Sequence, residues 1–169
     1  MIRRFTAAAA ALSMLGLAAC ATTPGPMMSG PGPARFAAED FAWSARGGQN
    51  SVQGRVAYRA DGKAFDCIGS VGLTPDTPYT RARFQTLYGS TDRAAVPVAV
   101  VRARDVADPN ADYRNFVRSA TCAGNAFSFS GLPDGSWFVI VPVRAQGGEP
   151  IVLMQRVQTR GGRIANLTL

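Results

Sequence analysis

The sequence predicts an all-β domain, a single antiparallel sandwich with one or two short helical insertions, carried behind an N-terminal segment that lies outside the fold. Two observations carry this expectation. The C-terminal third is a series of β-type runs, 126–130, 136–145, 151–160 and 163–169, separated by the Gly/Pro-rich segments 131–135, 146–150 and 161–162. Short strands broken by such turn residues belong to antiparallel sheets packed face to face. Nearer the start, Val52, Gly54, Val56 and Tyr58 alternate with Gln53, Arg55, Ala57 and Arg59, the period of a strand buried on one face.

Local signals place each element along the chain. Residues 36–46 hold the apolar anchors Phe36, Phe41 and Trp43, and read as a first strand or a segment tucked over the core. The strand beginning at Ser51 ends at Asp61-Gly62, a dipeptide suited to a tight turn. Residues 65–73 form the second strand, closed by Thr74-Pro75. Thr77 as cap and Pro78 in the first position open a short helix over 79–88. A strand spans 96–104 with Pro97 at its start, where a missing N–H is tolerated. Asp108-Pro109 repeats the cap-and-proline pattern, and 116–122 reads as strand. The segment 131–135, Gly-Leu-Pro-Asp-Gly, closes a hairpin in which Gly135 supplies a positive φ.

The first residues have a different logic. Met1-Ile2-Arg3-Arg4 is a positive head, and residues 5–16 are small and apolar over a length too short to span a bilayer. Leu17 and the small pair Ala18-Ala19 then precede Cys20. Together these make a secretory signal peptide over 1–19. Leu17-Ala18-Ala19-Cys20 resembles the lipobox of bacterial lipoproteins, which implies that Cys20 is lipidated and becomes the mature N-terminus. Two or three acyl chains hold a membrane far better than one, each buried methylene adding about 0.8 kcal/mol. Ala19-Cys20-Ala21 also fits an ordinary A-x-A cleavage site, which would release a soluble protein. Residues 20–35, rich in Pro and Gly, form a tether, and 36–169 the domain. The residue after Cys20 is Ala21; the absence of aspartate there resembles the outer-membrane pattern of enterobacterial lipoproteins. The expected location is the bacterial cell envelope, lipid-anchored to the outer membrane and facing the periplasm.

Charge and cysteine content limit the partners. The chain of 169 residues has 18 basic and 11 acidic residues, a net +7 that falls to +5 once Arg3 and Arg4 leave with the leader. Lys63 is the only lysine, and the arginines are scattered rather than gathered in a stripe with aromatics between them, so nucleic acid is not an expected partner. With Cys20 assigned to lipid, Cys67 and Cys122 remain as an even pair in an exported domain. A disulfide is the reading that compartment and parity favour, with two buried free thiols as the alternative.

Residues 125–139, Asn-Ala-Phe-Ser-Phe-Ser-Gly-Leu-Pro-Asp-Gly-Ser-Trp-Phe-Val, resemble the carboxypeptidase regulatory-like domain, a transthyretin-like β-sandwich family with a G-x-F-x-F-x-x-L-P-x-G-x-Y/W pattern. Val52 to Val56 is similar to that family's first strand, and Val71-Gly72-Leu73-Thr74-Pro75 after Cys67 to a second element of some bacterial members. Asn125 stands where glycine is usual and can adopt the same left-handed backbone. The resemblance implies a transthyretin-like sandwich over most of 51–169 and leaves 87–115 without an equivalent. The motif is one of packing and turn residues; none of them performs chemistry.

No catalytic residue is expected. The chain has no histidine, which excludes Ser-His-Asp and Cys-His machinery. Lys63 lies beside the expected Asp61-Gly62 turn, where it keeps its proton. Glu39 and Asp40 read as solvated, and Asp66 and Asp76 as partners of Arg81 and Arg83. Asp108, Asn110 and Asp112 have the spacing of a calcium loop, but Tyr113 and Ser119 stand where that loop needs glycine and glutamate, so a capped turn explains them and no metal or cofactor is expected. Trp43, Tyr79, Tyr88, Tyr113 and Trp137 are either buried anchors or a platform for sugar rings. The expected function is a membrane-anchored, non-catalytic binding or scaffolding module whose partner is an envelope protein or glycan; the competing expectation is an envelope-ligand-binding protein with a defined pocket.

Overall fold

Two sheets of unequal size enclose the core. The structure, a computed structural model, describes residues 34–104, 106 and 112–169. The leader, Cys20, most of the tether, and Asp108 and Asn110 lie outside the described residues. In chain order the strands are β1 (Asn50–Arg55), β2 (Arg59–Ala60), β3 (Lys63–Ala64), β4 (Asp66–Cys67), β5 (Ser70–Pro75), β6 (Arg93–Pro97), β7 (Arg118–Thr121), β8 (Ala126–Leu132), β9 (Gly135–Arg144), β10 (Ile151–Thr159) and β11 (Ile164–Thr168). The α-helices are α1 (Pro78–Tyr88) and α2 (Val98–Ala103), and 3-10 turns run over Ala38–Ala45 and Asp112–Phe116.

The small sheet has the order β11-β1-β8, and the large one β6-β10-β9-β5-β7, with β4 beside β5 along the same edge of β9. Val52, Phe127, Phe129 and Leu167 from the small sheet meet Val71, Leu73, Trp137, Val139, Val141, Val143 and Leu153 from the large one. Gly54 has no side chain because the Phe127 ring occupies that space; a Cβ there would overlap it. The other face of β9 and β10 is also buried, since Phe138 and Met154 pack against Phe84 of α1. This double burial makes 137–139 a continuous apolar run.

Local signals in the sequence act as expected at several points. Thr77 caps α1, its hydroxyl accepting from the Thr80 N–H (3.2 Å) while the Thr77 N–H donates to Thr80 Oγ1 (2.9 Å). Gly89, at φ 75°, ends the helix. Asp61 and Gly62 both have positive φ and join β2 to β3. Residues 36–46 form the tucked segment, not a strand: Phe41 is fully buried and Trp43 stacks edge-on against Trp137 at 4.8 Å.

Several expectations require correction. The strand expected from Ser51 to Asp61-Gly62 stops at Arg55, and Arg59–Ala60 belongs to the separate β2-β3 pair. The strand expected over 96–104 ends at Pro97, and 98–103 is the helix α2. The partner strand β10 starts at Ile151, which pairs with Pro97; the Val98 N–H still donates to Pro150 O (3.0 Å), and the chain beyond has no ladder to join and turns into a helix. The strand expected over 65–73 is broken at Ile68-Gly69, where Gly69 takes φ 75°. The segment 131–135 is not a hairpin, for β8 and β9 belong to different sheets. Gly135 does not have positive φ; Gly131 does, at 66°, and Gly135 is small because the Trp43 ring lies against it. Last, the sandwich is not wholly antiparallel, since β1 and β11 pair in parallel. Three reversals separate β8 from β11, so β11 runs opposite to β8 and therefore with β1.

Candidate ligand-binding face

Strand alternation that buries Val52, Gly54 and Leu167 turns Gln53, Arg55, Asn166 and Thr168 outward. Register then assembles them. Gln53 lies between Ser128 of β8 and Asn166 of β11, and Arg55 lies between Ala126 and Thr168. The outer face of the small sheet therefore carries two rows of side chains, an amide-hydroxyl row and a row centred on a guanidinium. All six residues are exposed, and together they line an open cleft of about 550 Å3. Among the described residues, none of the five polar side chains is committed to an internal hydrogen bond or ion pair. Each primary amide offers two donors and an acceptor, each hydroxyl one donor and an acceptor, and Arg55 a fixed fork of donors. The face can hold a polyhydroxylated or anionic ligand. It carries no general acid or base.

The frame behind this face is fixed by polar contacts at its two ends. At one, Asn50, almost fully buried, donates through Nδ2 to Leu132 O (3.0 Å) and Asp134 Oδ1 (2.8 Å), and its Oδ1 accepts from the Arg163 N–H (3.0 Å). At the other, Asn125 has φ 61°, the left-handed backbone expected of it, and its side chain adds a second role. It donates to Asp66 Oδ1 (2.7 Å) and accepts from the Cys67 N–H (2.9 Å), beside the disulfide that joins Cys67 to Cys122 with Cα atoms 6.1 Å apart. That bond ties β4 of the large sheet to the segment leading into β8 of the small one.

The remaining sequence candidates are dispersed. Trp137 and Tyr79 are buried, Trp43 packs on Trp137, and Tyr113 stacks with Tyr79, so the aromatic set is an interior one and forms no platform. Burial raises the Tyr88 phenol to about 12, with Tyr113 adding to the rise and Arg83 opposing it, which leaves Tyr88 protonated and unsuited to act as a base. Asp76 does pair with Arg81, at 2.9 Å, and also with Arg156 at 2.6 Å; Arg83 instead stacks over the Tyr113 ring. Asp66 is held by Asn125 rather than by an arginine. Lys63 and Glu39 are exposed. Among the described residues no group of three or more His, Cys, Asp or Glu is placed to hold a metal ion, and no helix is long and apolar enough to cross a membrane.

The five polar residues of the outer face carry no motif. Sequence alternation puts Gln53 and Arg55 on the solvent side of a strand, but only the pairing of β1 with both β8 and β11 joins them to Ser128, Asn166 and Thr168.

No protein-family model matches the chain, and no curated protein sequence is significantly similar to it. Its fold is similar to that of a Pseudomonas aeruginosa protein whose crystal structure is described as that of a "putative carbohydrate binding protein", with a TM-score of 0.53 and 19% identity over 82% of this chain and 100% of that one. At that identity the likeness is one of fold, a mostly β sandwich.

Proposed function

We propose that this chain is a lipid-anchored protein of the bacterial envelope whose sandwich is a non-catalytic binding module, and that it binds a glycan on the outer face of the small sheet. The observation that carries the reading is the pair of rows Ser128–Gln53–Asn166 and Ala126–Arg55–Thr168 across the open cleft. Neighbouring strands repeat at about 4.8 Å, a spacing on the scale of a sugar ring. Amides and hydroxyls at that spacing are chemically matched to ring hydroxyls, and water can bridge the remainder. A face of this kind binds without activating a nucleophile, in keeping with a chain that has no histidine. The name of the Pseudomonas aeruginosa neighbour lends the same direction. We read the sandwich as transthyretin-like on the strength of residues 125–139, whose Phe127, Phe129, Leu132 and Trp137 are all buried.

The test is binding of the purified full chain to an array of bacterial surface polysaccharides, followed by titration of the best ligand. Gln53→Ala and Asn166→Ala should each weaken binding by about fivefold or more, the loss of one neutral hydrogen bond, with thermal unfolding unchanged. Absence of binding across the array, or wild-type affinity in the double variant, would overturn the reading.

A further inference from the structure

On the side of β6 the small sheet is one strand narrower than the large one. Leu167 of β11 and Leu153 of β10 share the core, so these two strands face each other, and β6 lies beyond β10. Among the described residues no strand of the small sheet lies opposite β6. Arg93 and Ala95, which belong to the inner face because Ala95 pairs with Leu153, are therefore exposed. Leu169, which follows β11, lines one groove of about 300 Å3 with Arg93, Ala95 and Leu153, across the gap where a strand is missing.

The strand beside that gap, β11, has an open edge. The Ser51 N–H donates to Arg163 O (3.1 Å), the Leu169 N–H to Arg55 O (3.0 Å) and the Ala57 N–H to Leu169 O (2.6 Å). Alternate residues of a strand bond to one neighbour. Residues 163, 165, 167 and 169 thus turn their peptide groups toward β1, and Ile164, Asn166 and Thr168 turn theirs away from it. Among the described residues no strand lies on that side, and the N–H and C=O of these three residues have no partner. Edges are commonly blunted by proline, charge or a bulge. The edge strand β6 has Arg93 and Pro97, and β8 has a register shift against β1. By contrast, Ile164–Thr168 holds no proline and no charge, its ladder with β1 runs without a shift, and Ile164 is 56% exposed.

We propose that an extended segment of a partner polypeptide adds to the small sheet as a fourth strand beside β11. Its backbone pairs with Ile164, Asn166 and Thr168, and its inward side chains cover β6. A strand presents a donor and an acceptor together at every second residue, about 6.6 Å apart, which is the repeat of the free groups on β11; an acyl chain offers none. Arg93 and Ala95 are two residues apart on one face, so the segment carries an apolar side chain over Ala95 and Leu153 and, two residues away, an acidic one at Arg93, which has no ion pair among the described residues. A second copy cannot fill the place with its own β11, because its β10 would come with it into the layer that β6 already occupies. The tether is unsuited as well: within 21–33 no more than four consecutive residues are free of proline, which lacks the donor a ladder needs. The segment uses the backbone of β11 and the inner face of β6, so it does not depend on the glycan reading of the outer side chains.

The test uses the purified, isotope-labelled full chain and the probe acetyl-Thr-Leu-Thr-Glu-Thr-Val-Thr-amide, whose Leu, Glu and Val share one face of a strand. In the free protein the amides of Ile164, Asn166 and Thr168 should exchange with solvent much faster than those of Ala165 and Leu167, which bond to β1. Millimolar probe should slow the first three by about tenfold or more. N-methylation of one alternate set of probe residues should abolish binding, and N-methylation of the other set should leave it intact, because an added strand pairs through one edge. Arg93→Glu, at an exposed position, should weaken binding about fivefold, and replacing the probe's Glu with Lys should restore it. The proposal is overturned if the three amides are already protected in the free monomer, which would put the chain's own residues on the edge, or if they become protected as protein concentration rises, which would put a second copy there. It is also overturned if the probe leaves their exchange unchanged, or if both N-methylated probes bind as tightly as the parent.

Discussion

Gly135 lies against the indole of Trp43 so closely that a Cβ at this position would overlap the ring. The contact joins the segment before β1 to the first residue of β9, and Trp43 in turn rests on the buried Trp137. Gly131, near the end of β8, is glycine for a different reason: its φ is 66°, with open space around it.

The two glycines should therefore respond differently to alanine. Gly135→Ala forces a ring to move in a packed interior and should cost roughly 3 kcal/mol. Gly131→Ala meets only the left-handed backbone penalty, about 1 kcal/mol. Urea unfolding followed by tryptophan fluorescence measures both. Equal losses, or a larger loss at Gly131, would show that the Trp43 contact does not constrain position 135.

The disulfide closes a separation of 55 residues between β4 and the segment before β8. In the chain-entropy account a loop of that length contributes roughly 4 kcal/mol. Non-reducing peptide mapping should recover the Cys67 and Cys122 peptides linked. The Cys67→Ser, Cys122→Ser double variant should lose a large part of its stability in urea; two freely alkylated thiols in unreduced protein would contradict the pairing.

What the sequence discloses about this fold is mostly local chemistry. Thr77-Pro78, Asp61-Gly62 and Asn125 declare their structures because cap, turn and left-handed backbone are decided within a few residues. The alternation that begins at Val52 declares the strand β1 for the same reason, but not that it stops at Arg55. The division into two sheets is decided by long-range packing: nothing within 126–144 says that β8 and β9 part company, and Gly131 to Gly135 looks the same whether it closes a hairpin or crosses between sheets. Residues 98–103 have the composition of a strand and lack only a partner, which depends on where β10 begins, much later in the chain. The outer face is hidden in the same way, since three strands far apart in sequence must be in register before Gln53, Ser128 and Asn166 form a row.

Asp76 is the buried junction between α1 and the large sheet. Its side chain is fully enclosed and held by Arg81 Nη2 at 2.9 Å and Arg156 Nε at 2.6 Å. Asp76→Asn leaves two cations facing a neutral amide and should cost about 3 kcal/mol. Arg81→Ala, at the more exposed end, should cost no more than about 1 kcal/mol. Thermal unfolding of the two variants should rank them in that order.

Tyr88 offers a pH test. Its phenol is raised from 10.0 to about 12, mainly by burial. In the unfolded chain it ionises at its ordinary value, so between about pH 10 and pH 12 the folded state holds a proton that the unfolded state has lost. The contribution to stability is complete below about pH 10 and declines as pH rises through the folded value. The difference in ultraviolet absorbance between wild type and Tyr88→Phe should show a phenol titrating near pH 12. A titration near pH 10 in folded protein, the ordinary phenol value, would contradict the burial.

The lipid anchor is the part of the proposed function that rests on Leu17-Ala18-Ala19-Cys20. Cleavage before Cys20 leaves a free α-amino cysteine, and a thioether-linked diacylglycerol on its sulfur partitions into a bilayer with many methylenes at about 0.8 kcal/mol each. Mass spectrometry of the membrane fraction should find an acylated peptide that starts at Cys20. Cys20→Ala should abolish that mass and release the chain from membranes or leave it unprocessed. Ala19-Cys20-Ala21 permits the other outcome, cleavage at an ordinary A-x-A site; a mature chain that starts at another residue and carries no acyl group would replace the anchored protein with a soluble periplasmic one.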